Sequence, residues 1–154
     1  MATAYTDAME PFTHIASIGQ AIQLAVAPVF LLTGVGAALN VLASRLGRII
    51  DRARIMEDQL TRAAPHIAAD MHTRLNMLSK RAKLINRAIV LSVLSGILVS
   101  LVVASLFVSA VLKIDLSLPV AIAFVSALLS LAFALIYFLR EVFVATESLR
   151  FGPK

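Results

Sequence analysis

The stretch PFTHIASIGQAIQLAVAPVFLLTGVGAALNVLASRLGRIIDRAR, residues 11–54, decides the fold. From Pro11 to Ser44 it carries no Asp, Glu, Lys or Arg; Arg45, Arg48, Arg52 and Arg54 follow at once. A helix needs about 20 predominantly apolar residues to cross the hydrocarbon core of a bilayer. The run is long enough to span, and its arginines crowd one end only. Two further uncharged runs lie downstream, Ala88–Leu112 and Leu116–Leu139. The sequence therefore predicts an all-α integral membrane protein with three transmembrane helices, at residues 18–43, 88–112 and 119–139.

Composition supports a membrane setting. The chain has 154 residues, 60% of them hydrophobic, with a mean hydropathy of +0.91. Soluble domains reach roughly 45–50% apolar residues, and here the excess sits in long blocks. There is no cysteine, which excludes a disulfide framework, a thiolate metal site and a cysteine nucleophile. Residues 1–17 include Asp7 and Glu10 but no Lys or Arg. A cleavable signal peptide needs a basic leading segment and a short apolar core, so the first span is expected to act as its own uncleaved insertion signal.

Charge orients the chain. Residues 44–87 hold ten of the fourteen basic residues against four acids, while the loop at 113–118 has only Lys113. The positive-inside rule puts 44–87 in the cytoplasm. The tail 1–17 then lies outside, and the tail 140–154, with Arg150 and Lys154, lies inside. A basic segment beside membrane spans is expected to meet anionic lipid headgroups, with no nucleic acid as partner.

Spacing subdivides the connector. Leu42, Leu46, Ile49, Ala53, Met56 and Leu60 alternate steps of four and three, as do Met71, Leu75, Leu78, Ala82, Ile85 and Ile89. This is coiled-coil spacing. Pro65 interrupts it and breaks a helix, which predicts a cytoplasmic antiparallel helical hairpin. Nothing separates either arm from its span. Pro28 predicts a kink in the first span. Ser92, Gly96 and Ser100 in the second span, and Ser126 and Ser130 in the third, form small-residue rows that allow close helix packing.

Two sets of side chains are candidate sites. Arg45, Arg48 and Arg52 share one helical side. They are expected either to anchor the helix among headgroups by snorkelling or to bind anions, as a lipid site or as a ring at a pore mouth. Asp51 is expected to pair with Arg48, Arg54 or Arg87. In the first span, Gln20, Gln23, Ala27, Gly34 and Ala38 fall on roughly one side. Lipid cannot satisfy polar side chains, so this side either packs against helices or lines a water path built by several copies. Asn40, on a different side, suits a register-fixing role. Arg140 and Glu141 read as an interfacial ion pair. The histidines are scattered, so neither a metal site nor a cofactor is expected.

The segment APVFLLTGVGAALNVLASRLGRIIDRAR, with a basic LINRAI and a terminal LREV, resembles an uncharacterised bacterial membrane family, domain of unknown function 2721. The resemblance covers nearly the whole chain. Its most specific part is the Arg45–Arg54 cluster directly after an apolar helix containing Ala27-Pro28-Val29-Phe30. It implies a small bacterial inner-membrane protein and supplies no activity.

Enzyme signatures such as a phosphate-cradling Gly loop, HExxH or GxSxG do not occur, and the chain is not expected to be an enzyme. All acids lie outside the spans, which argues against a proton-coupled transporter. Two classes remain. One is a cyclic homo-oligomeric pore or ion channel lined by the first span. The other is a non-conducting scaffold or regulatory subunit whose hairpin binds a cytoplasmic partner.

Overall fold

A computed structural model of the chain describes the backbone of residues 3–61 and 65–147, and the side chains of 18–61 and 67–146. The described residues form three helices: α1 (Thr3–Leu60), α2 (Pro65–Leu112) and α3 (Ser117–Glu147). Each contains a segment long and apolar enough to cross a membrane. α1 is unbroken across Pro28 and runs on through the arginine cluster. Backbone helix also starts at Thr3, within the segment that the sequence reads as a tail. Ala63, Ala64, residues 148–154 and the side chains of His14 and His66 lie outside the described residues.

Local chemistry sets the helix ends. Pro65 opens α2, where its missing N–H costs nothing. Lys113 follows the last residue of α2 with φ 54°, the left-handed position that commonly ends a helix. Asp115 then caps α3: its Oδ1 accepts from the Ser117 N–H at 3.0 Å and the Ser117 hydroxyl at 2.6 Å.

The chain divides into two compact units, and each contains part of all three helices. In the first, Met1–Gly36 with Leu94–Leu129, Ala21, Ala25, Val35, Val99, Val102 and Ala127 are buried. The Ser95 hydroxyl donates to the Ala127 carbonyl at 2.8 Å. Gly96 faces α1: a Cβ there would lie 3.5 Å from Val35 Cγ1 and 3.7 Å from Leu32 Cδ1. In the second unit, Ala37–Val93 with Ser130–Lys154, Leu42, Ile49, Leu78, Ile85 and Ala88 form the core. Leu46, Ala53, Met56, Ala82 and Ile89 pack against it, joined by Tyr137 and Phe138 of α3. The Ser130 hydroxyl donates to the Leu91 carbonyl at 2.9 Å.

The apolar segments of the three helices are largely uncovered. In the most hydrophobic window of each helix only 17–22% of residues are buried, and Phe30, Leu118 and Phe143 are more than half exposed. Water-soluble monomers rarely expose contiguous apolar surface on this scale; lipid tails match it. This is a multi-pass membrane architecture.

Candidate functional site

The second unit holds a buried charge. Glu141 is fully buried, at 0% exposure. Its position follows from the buried row of α3: Ala127, Ser130 and Ala134 are buried, Tyr137 is half-buried, and Glu141 is next at the same alternation of three and four. A carboxylate at a core position needs partners, because desolvating a lone charge is very costly. Two arginines supply them. Arg81 of α2 donates to Oε1 through Nε at 3.0 Å and Nη2 at 2.8 Å. Arg45 of α1 places Nη2 3.0 Å from Oε2. That second contact is an ion pair without a hydrogen bond's geometry, since Oε2 has no hydrogen-bond partner. Arg45 also lies over the Phe138 ring, 5.2 Å from its centroid, a cation–π arrangement. One carboxylate thereby ties all three helices together.

This pairing corrects two expectations. Glu141 bonds to Arg45 and Arg81, not to its neighbour Arg140. Asp51 makes no ion pair among the described residues; Arg87, one of its expected partners, instead lies 5.9 Å from the Tyr137 ring centroid.

Beside the network is an open groove of about 720 Å³. Four arginines line it, Arg45, Arg48, Arg52 and Arg81, with Asp51 and Gln59. Its apolar lining is Ile49, Ile55, Met56 and Leu78. Arg45 and Arg81 are committed to Glu141. Arg48 and Arg52 are exposed, and no ion pair among the described residues holds either of them. The three arginines named from sequence thus divide into one structural residue and two free cations. Arg81, from the other helix, was not among them.

The other sequence candidates disperse. Gln20, Gln23, Ala27 and Gly34 are exposed on α1, and Ala38 is half-buried. A Cβ added at Gly34 or Gly36 would meet nothing within 4 Å. Asn40 is exposed. Of the small-residue rows, Ser92 and Ser130 are buried, Gly96 is half-buried, and Ser100 and Ser126 are exposed. The last two donate to carbonyls of their own helices. Cross-helix bonds come from Ser130, on the expected row, and from Ser95, one position off it. Among the described residues no three His, Cys, Asp or Glu side chains come together as a metal site.

A family model described as "Protein of unknown function (DUF2721)" matches residues 25–151. The chain belongs to this family. No curated protein and no solved structure matches it. The matched residues take in Arg45, Arg81, Glu141 and the whole lining of the groove; Gln20 and Gln23 precede them.

The signal for Glu141 was present in the sequence. Ser126, Ser130 and Ala134 step by four, but starting from Ala127 the three-four alternation Ala127, Ser130, Ala134 and Tyr137 leads to Glu141. Arg45 is the first charged residue after the first uncharged run, and Glu141 follows the third run almost at once. A core-phase acid with unpaired arginines at the same boundary predicts a buried pair. Arg81 carries a weaker signal, since Arg87 stands closer to its apolar run.

Proposed function

We propose that the chain assembles as a cyclic homo-oligomer in the bacterial cytoplasmic membrane and forms a pore lined by α1. The observation that carries this is the exposure of Gln20, Gln23 and Gly34 within the uncharged, mostly apolar stretch of α1. Amides that face lipid have no hydrogen-bond partners; in an assembly they meet a neighbouring copy or a water path. The orientation follows charge asymmetry: N-terminus outside, the 44–87 hairpin and the C-terminus inside. The hairpin is a cytoplasmic coiled coil, which the heptad positions in its core support. Arg48 and Arg52, in no ion pair among the described residues, then crowd the inner mouth and favour anions. No catalytic step belongs to this function.

The test is conductance of purified, assembled protein in planar bilayers, with Gln23→Leu as the variant. A lower conductance in the variant is the expected result. Assembled protein silent under voltage, tension and pH steps overturns the pore.

A second reading has its own support. Arg54, Glu57, Asp58, Lys80 and Lys83 are all exposed on the hairpin arms. Such charged outer faces suit a non-conducting scaffold or regulatory subunit that holds a cytoplasmic protein partner. A silent assembly with retained hairpin order favours that role.

A further inference from the structure

We propose that the arginine groove of α1 and α2 is a binding site for a phosphoryl anion that carries an apolar portion. Charge imbalance is the first argument. Four guanidinium groups line the groove against one lining carboxylate, Asp51. Glu141 balances Arg45 and Arg81 only in part, as one negative charge shared by two positive ones. Arg48 and Arg52 are four residues apart on one helical side, where like charges repel. An anion between them removes that repulsion.

The donor chemistry narrows the anion. Every cation in the lining is arginine; Lys80 and Lys83 of α2 are not in it. A guanidinium offers a planar fork that matches phosphate oxygens, whereas ammonium acts as a point charge. Arg81 uses Nε and Nη2 for Glu141, which leaves Nη1 for a ligand. Beneath the cations, Ile49 and Leu78 are buried and Ile55 is 60% exposed. Ile55 and the half-buried Met56 give an apolar part of the ligand a surface to cover. A volume of about 720 Å³ falls within the range of about 300–1,000 Å³ usual for small-ligand sites. The C-terminal segment 148–154 does not complement the groove, because it brings Arg150 and Lys154.

Two sources offer this chemistry: an anionic phospholipid headgroup and a soluble phosphate ester. Arg45 directly follows the uncharged run, so the groove begins where the apolar segment stops. The groove is built within one chain and needs neither the pore nor the oligomer.

The experiment uses the full chain in nanodiscs. One arm adds phosphatidylglycerol to phosphatidylcholine discs and reads lipid retention by native mass spectrometry. The other adds inorganic pyrophosphate to discs of phosphatidylcholine alone and reads the thermal shift. The variant is Arg48→Gln with Arg52→Gln, whose exposed, unpaired side chains leave the Glu141 network intact. Arg54→Gln, outside the groove, is the control. Saturable binding in either arm is expected, weakened about tenfold for each groove arginine removed and unchanged in the control. Binding in the first arm alone identifies the lipid; binding in the second shows that a soluble phosphoryl anion occupies the groove without lipid. No saturable binding in either arm overturns the proposal, and so does equal weakening in the variant and the control. Conductance of the same purified variants in planar bilayers separates this result from the fate of the pore.

Discussion

At the scale of single residues, Glu141 decides most. It is fully buried between Arg45 and Arg81. Removing its charge by Glu141→Gln leaves two arginines facing a neutral amide. Breaking a buried ion pair from one side costs about 3–5 kcal/mol, and denaturant unfolding in micelles should show a loss of that order. Replacing all three together, Arg45→Met, Arg81→Met and Glu141→Leu, should be neutral or stabilising, because apolar substitutes avoid desolvation. A triple variant weaker than Glu141→Gln would show that the network does more than satisfy itself. The turn between α2 and α3 offers two smaller tests. Lys113 has φ 54°, a left-handed conformation that costs an L-residue about 1–2 kcal/mol and glycine little. Lys113→Gly should therefore raise stability by about 1 kcal/mol. At Asp115, the Ser117 hydroxyl and then the Ser117 N–H hold the carboxyl below its ordinary value of 3.8, with burial opposing weakly. Its capping contribution is thus present above that ordinary value and is lost as pH falls through the lower, folded value. Hydrogen exchange at the Ser117 amide should lose protection in that acid range. Asp115→Ala should show the weak protection already at neutral pH. Charge alone made the three apolar helical segments legible in the sequence. It left Glu141 misassigned because adjacency to Arg140 suggested a partner, whereas helical phase points the two side chains in different directions.

At the scale of elements, hydrophobic spacing carried more information than hydrophobicity. Leu42, Ile49, Leu78 and Ile85 were named from their three-four alternation and are buried, while Leu60, Met71 and Leu75 on the same pattern are only half-buried. The pattern thins where the arms leave the α3 side chains Tyr137 and Phe138 that complete the core. Ile49→Asp should place an unpaired charge in that core, at a cost of several kcal/mol, and limited proteolysis of residues 44–87 should accelerate. Unchanged resistance would contradict the packing. Gly96 teaches the opposite lesson. Small residues every four positions suggested close helix approach, yet a Cβ at Gly96 would sit at ordinary van der Waals distance from Val35 and Leu32. Gly96→Ala should therefore be tolerated, with a gain of up to about 1 kcal/mol from helix propensity; Gly96→Leu should not. The small-residue row was visible in the sequence, but composition alone does not say which neighbour a row faces.

At the scale of the whole molecule, the described helices leave most of their apolar segments uncovered, as a lipid setting requires. Topology is the first thing to establish. The chain has no cysteine, so single exposed positions can be labelled cleanly. An impermeant thiol reagent on intact cells should modify Lys113→Cys and spare Thr61→Cys, both sites lying at helix ends. Labelling of Thr61→Cys from outside would reverse the orientation and move the arginine groove to the other face. If the orientation holds and the proposed pore forms, its selectivity becomes a question about two residues. Arg45 cannot be used to probe it, because its substitution strips Glu141 of a partner and confounds conduction with folding. Arg48 and Arg52 have no such role. A ring of them at the inner mouth raises the local anion concentration and repels cations. Arg48→Glu with Arg52→Glu inverts the charge without touching the buried network. The reversal potential in an asymmetric salt gradient should then move from the anion side toward the cation side. The shift should shrink as ionic strength rises, since exposed charges are screened over about 10 Å at 0.1 M salt. A pore whose selectivity ignores both arginines does not have α1 at its inner mouth; the exposed Ser100 face of α2 would then be the surface to place on the axis.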